Sequence, residues 1–124
     1  MGRDSVTQQE IRTKVKELTK RYGTSNPFEL CDLMGINVEK EPLGNLDGYY
    51  HYFNRIKQIR LNESLDNYRL KWTCAHELGH AIMHPTINTL FLSMNTYMVT
   101  SRFENEANFF ADILTELDKD IHIC

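Results

Sequence analysis

Cysteine is scarce in this chain: Cys31, Cys74 and Cys124 are odd in number, far apart and without a C-x-x-C pair. That excludes a disulfide framework, and unpaired thiols suit a reducing compartment, so a cytosolic protein is expected. An excess of one charge is also missing. Fourteen Lys and Arg stand against 17 Asp and Glu, interspersed, for a net charge of −3. A sequence-independent grip on nucleic acid needs a basic face, so no direct nucleic-acid partner is expected. No apolar run approaches the roughly 20 residues that span a bilayer. The N-terminus has no secretory apolar stretch, and Val6 stands where a myristoylation signal wants Ser or Thr, so no membrane partner is expected either. Repeats and low-complexity segments are absent. What is present is 124 residues, 41% of them apolar, which suits a single domain over 1–124 with one modest core.

Local signals divide this chain into helices and strands. Residues 1–4 read as a disordered start. Thr7 and Glu10 have capping-box spacing, Ile11, Val15, Leu18 and Tyr22 share one helical face, and Gly23 is a natural stop. Asn26 as N-cap and Pro27 in the first turn open a second short helix that ends near Gly35. Glu29 and Asp32 make this helix acidic, which argues against a DNA-reading helix-turn-helix. Ile36 to Val38, Tyr49 to Phe53 and Ile56 to Leu61 read as strands, the last two joined at Asn54-Arg55. Helices are then predicted over Leu65–His84 and Arg102–Leu117. The intervening 85–100 stretch reads as a loop or flap. The pattern is α+β, with a small antiparallel sheet of about three strands packed with helices.

One motif carries chemistry. His76-Glu77-Leu78-Gly79-His80 is an H-E-x-x-H sequence. Side chains four apart on a helix lie about 40° apart around its axis, one turn along, so two imidazoles can meet one ion. Glu77 sits about 100° round from His76, too far to join as a ligand but within reach of a water beside the metal, where a general base belongs. Thr73, Glu77, His80 and His84 form a polar arc opposite an apolar arc of Leu70, Cys74, Ala75, Leu78, Ala81 and Ile82. Gly79 is costly inside a helix, which suggests that another element passes close there.

A zinc site for hydrolysis needs a third protein ligand and an open fourth position. The position six residues after His80 is Thr86, so a third histidine is not available there. His84 is too close along the helix to share the ion easily, and reads either as a helix-end residue or as a donor to transition-state charge. A carboxylate from the last helix is the other source. Glu104 shares its face with Ala107, Asn108 and Ala111, whereas Glu106 shares its face with Phe109, Phe110 and Ile113. Small alanines let helices approach and phenylalanines hold them apart, which favours Glu104 and leaves Glu106 as the alternative ligand. Asn108, one turn from Glu104, is placed to hydrogen-bond a ligand histidine. Ser101, three before Glu104, also suits an ordinary capping box.

With Ala75-His76-Glu77-Leu78-Gly79-His80-Ala81-Ile82-Met83-His84 followed by Glu104-x-Glu106-Ala107-Asn108-x-Phe110-Ala111, the chain resembles the ImmA/IrrE family of zinc metallopeptidases. Asn26 to Leu30, Met34 to Val38, Gly48-Tyr49 and Ile59 to Glu63 look like the usual lead-in of that family. The resemblance implies a zincin-like arrangement, one Zn2+ on His76, His80 and Glu104, and Glu77 as the catalytic residue. It implies site-specific cleavage of a helix-turn-helix repressor, as in bacterial antirepressors carried on phages or mobile elements. A non-proteolytic antirepressor with a structural zinc and a general peptidase are the competing readings. His84 and Tyr97 are candidates to stabilise the tetrahedral intermediate. One departure is the acidic stretch after Ala111, which runs on without the proline that relatives place there.

Overall fold

The computed structural model describes residues 6–89 and 97–121, with side chains over 6–89 and 101–118. Helix α1 (Gln8–Tyr22) begins with the reciprocal Thr7–Glu10 capping box and ends where Gly23, at φ 71°, donates to Thr19 O. Helix α2 (Pro27–Leu33) is capped by Asn26, whose Oδ1 accepts from the Phe28 and Glu29 N–H groups at 2.9 and 3.3 Å. Strands β1 (Asn37–Glu41), β2 (Gly48–Phe53) and β3 (Ile56–Asn62) form one sheet. Helices α3 (Asn67–Met83) and α4 (Tyr97–Ile121) follow. The proposed disordered start at 1–4 lies outside the described residues, as does the 90–96 part of the expected 85–100 loop. No described helix is long and apolar enough to cross a membrane.

The expected antiparallel sheet is in fact mixed. Its order is β1-β3-β2, with β1 parallel and β2 antiparallel to β3. The β2–β3 turn is the tight one anticipated, with Asn54 and Arg55 both left-handed at φ 57° and 66°. The β1–β2 connection, by contrast, steps over the end of β3 instead of forming a second hairpin. Asn62 holds it there: its amide donates to Gly44 O and Leu46 O, both at 2.9 Å, and its Oδ1 accepts from Ser64 N–H at 3.0 Å. Arg60 ties the parallel pair, reaching Asn37 Oδ1 and Glu41 Oε2 at 3.0 Å each.

The core lies between the sheet and the helices. Tyr50, Ile59 and Leu61 from the sheet meet Leu30, Cys74, Leu78, Phe110 and Leu114 from the helices, all fully buried. Cys31 and Cys74 sit there as free thiols, bridging α2 and α3 with their sulfurs 3.9 Å apart. Helix α3 is central, packing on α2, α4, β2 and β3. Its polar arc is therefore buried as well as its apolar one, from Thr73 to Ala81. Burial on both sides leaves His80 no bulk water and His76 little, so their polar atoms need partners inside the protein.

Candidate metal centre

Helix α3 starts cleanly because Asp66 Oδ1 accepts the Arg69 N–H at 2.8 Å. Two turns in, His76 and His80 point to one side. Their Nε2 atoms lie 2.8 and 3.3 Å from Glu104 Oε1 and Oε2, and the ligand atoms of these three residues all fall within 4.8 Å of one another. Helix α4 begins at Tyr97, earlier than the spacing predicts, so Ser101 lies inside it and does not cap it. That leaves the Glu104 carboxylate clear of any capping box. Close approach of the helices comes from Gly79, where an added Cβ would stand 3.1 Å from Phe110 Cβ and ring carbons. The phenylalanine is received by a missing side chain and does not hold the helices apart.

The donor set suits a divalent transition metal. His80 Nε2 is buried and lacks a hydrogen bond of good geometry although Glu104 stands beside it, and His76 Nδ1 is likewise unpartnered. A cation between the imidazoles and the carboxylate would satisfy the His80 nitrogen and take the place of the His76–Glu104 hydrogen bond. Burial works against charge on Glu104, but the His76 hydrogen bond and the adjoining His80 ring hold its carboxyl well below the usual range. Burial also opposes charge on His76. Glu104, Glu77 and Asn108, which faces the ring, outweigh it and raise the pKa. Burial lowers His80 and His84. The Trp72 ring stacks on His76 with centroids 5.3 Å apart, and its indole N–H donates to Asp112 Oδ1 at 2.9 Å.

Glu77 is buried beside the centre, and that burial pushes its pKa up to about 7. It opens with His76 and Glu104 onto a cleft of about 420 Å³, walled by residues 45–47, Gly48 and Tyr49 of β2, Trp72 and Thr73 of α3, and Thr89. Gly48 makes the wall possible, because a Cβ there would lie 2.8 Å from Arg60 O and 2.9 Å from Thr73 Cγ2. Thr89 is a participant that spacing does not reveal. Its Oγ1 accepts the Tyr50 N–H at 2.6 Å and lies 3.3 Å from Glu77 Oε1, while Asn88 Oδ1 accepts the Tyr52 N–H at 2.6 Å. The outward rim of β2 is thus already hydrogen-bonded. Polar residues after a proline are common in loops, so nothing in the sequence marks these two.

The remaining candidates lie elsewhere. Glu106 is buried and turns to the Val6 N–H and to His84 instead of joining the three converging ligands. His84 faces inward, with Nδ1 3.0 Å from His80 Nδ1 and Nε2 2.6 Å from Glu106 Oε1, and it does not line the cleft. Tyr97 opens α4, but its side chain lies outside the described residues.

Residues 31–115 match the family model of the IrrE N-terminal-like domain, peptidase family M78. An "uncharacterized immunity region protein 2" of Bacillus phage phi105 is 41% identical over 102 residues, which is 82% of this chain and 65% of that protein. "Metallopeptidase ImmA" of Bacillus subtilis strain 168 is 32% identical over 115 residues, 91% of this chain and 67% of that protein. The chain spans about two thirds of the length of these relatives. With both sequence motifs inside the matched region and the match covering most of its length, the chain belongs to the ImmA/IrrE family.

Proposed function

We propose that this chain is a zinc-dependent metallopeptidase domain that cleaves a peptide bond in a helix-turn-helix repressor, in the cytosol. The observation that carries the reading is the convergence of His76, His80 and Glu104 beside a buried Glu77 at the floor of a cleft. The relatives' names, a metallopeptidase and a phage immunity-region protein, supply the regulatory half of the proposal. His76, His80 and Glu104 would hold the ion in a zincin-like arrangement, and bound zinc would supply electrophilic activation of the scissile carbonyl and of water.

The chain's own residues do the rest. The Glu77 carboxylate takes a proton from the attacking water and delivers it to the departing amine. Burial raises its proton affinity toward neutrality, which suits a group that must both accept and release a proton. The Thr89 hydroxyl, within reach of both Tyr50 O at 3.2 Å and Glu77 Oε1 at 3.3 Å, orients the carboxylate when it turns to Oε1 and leaves Oε2 for the transfer. Trp72 and Asn108 fix the His76 ring from two sides.

The test is Glu77→Gln with zinc-loaded protein, purified helix-turn-helix repressors and unfolded casein, with fragments identified by mass spectrometry. The variant should keep its zinc and lose at least about 100-fold in cleavage of the repressor. Cleavage at the wild-type rate would overturn the hydrolytic reading, and repressor inactivation without any fragment would leave a non-cutting antirepressor. Digestion of casein as fast as repressor would make it a general peptidase.

A further inference from the structure

A chain of buried hydrogen-bonding groups runs outward from the metal centre. His80 turns Nε2 toward Glu104 and Nδ1 toward His84 Nδ1, 3.0 Å away. His84 Nε2 lies 2.6 Å from Glu106 Oε1, and Glu106 Oε2 accepts the Val6 N–H at 2.8 Å. The His80, His84 and Glu106 side chains are only 0%, 4% and 8% exposed, so none of these contacts is shared with bulk water. His84 can reach the far nitrogen of His80 because it caps α3 at φ −131°, ψ 53°, off the helical path. The Phe103 ring, 4.4 Å from its centroid, packs against it there.

We propose that Glu106 and His84 are positioning residues that fix the tautomer of His80, so that Nε2 presents a lone pair at the metal centre. The direction follows from counting protons. A carboxylate can only accept, so the His84 proton sits on Nε2. A neutral imidazole carries one N–H, so His84 Nδ1 is then a lone pair, and its contact with His80 is a hydrogen bond only if His80 donates from Nδ1. The single proton of His80 is thereby used, and its Nε2 faces Glu104 Oε2 acceptor to acceptor. A cation resolves that juxtaposition. The opposite order would set the His84 Nε2 lone pair against a carboxylate at 2.6 Å. A carboxylate that orients a ligand histidine is a common device; here it acts through a second histidine, which gives Glu106 and His84 a role other than ligand or transition-state donor.

This inference rests on the proposed metal site, and the experiment separates the two. Long-range proton–nitrogen NMR of the 15N-histidine-labelled wild type, before and after zinc addition, should find His80 protonated at Nδ1 and His84 at Nε2. Competition with a chromophoric chelator should give zinc affinities 10- to 100-fold weaker for Glu106→Leu and His84→Phe. Glu106→Gln, whose amide oxygen still accepts from His84 while giving up the Val6 N–H, should stay within about threefold of wild type, and its split from the similarly bulky leucine is one that loss of packing does not predict. A His80 proton found on Nε2, or wild-type zinc affinity in Glu106→Leu, would overturn the relay. Should the leucine variant fail to fold, the wild-type spectrum decides. Wild-type protein that binds no zinc would refute the metal reading, while the tautomers would still judge the relay.

Discussion

Gly79 and Tyr50 mark how little slack surrounds the reactive side chains. Gly79→Ala gains about 1 kcal/mol of helix propensity but drives a methyl against Phe110, whose fully buried ring has nowhere to retreat. Overpacking of this kind costs about 1–3 kcal/mol, so urea denaturation should register a net loss of about 1 kcal/mol. Tyr50 is buried with its hydroxyl donating to Pro85 O at 2.5 Å, and burial lifts its pKa from 10.0 to about 12. The unfolded chain therefore ionises first. The stabilisation this tyrosine gives is complete below pH 10 and drains away as pH rises through about 12, by about 2–3 kcal/mol in all. Tyr50→Phe should lack this alkaline component and cost about 1 kcal/mol at neutral pH, as denaturation between pH 8 and 12 would reveal. The spacing of His76 and His80 makes their shared direction readable from the sequence. The inward turn of Glu106 is not, because it depends on His84 leaving the helix at its cap.

Among the elements, the β1–β2 connection decides both sheet order and cleft. Asn62, itself buried, bridges Gly44, Leu46 and Ser64, so Asn62→Ala releases the exposed loop it holds and loosens residues 45–47, which wall the cleft. Each lost hydrogen bond is worth about 0.5–1.5 kcal/mol net where water can replace it, and a loss of about 1–3 kcal/mol is expected as a lower urea midpoint at unchanged slope. Helix starts at Thr7 and Asn26 and the turn at Asn54-Arg55 were legible because each depends on neighbours within a few residues. The parallel pairing of β1 was not, since it depends on Arg60 and Asn62, 19 and 21 residues downstream of the strand's end at Glu41. The early start of α4 was hidden for another reason: Asn95 and Thr96, both N-cap types, precede Tyr97 in the sequence, but Ser101 with Glu104 offers a competing start one turn later.

At the scale of the whole molecule, the proposed metal site draws His76 and His80 of α3 and Glu104 of α4 together, so an ion there should govern stability. Ligand bound only by the native state stabilises by mass action, about 4 kcal/mol at a thousandfold excess over Kd. Adding zinc to chelator-stripped protein should therefore raise Tm in a concentration-dependent way, and Glu104→Ala should abolish the rise in differential scanning calorimetry. The sheet has a second global effect through its two rims. Along one, β1 carries Glu39, Lys40 and Glu41; along the other, Asn88 and Thr89 occupy the Tyr50 and Tyr52 amides. Removing both caps with Asn88→Ala and Thr89→Ala should raise light scattering at high concentration, as bared strand edges do. Two short polar side chains thus take the place that a neighbouring strand's carbonyls would fill along this rim, which leaves its amides no bonds to offer a second molecule.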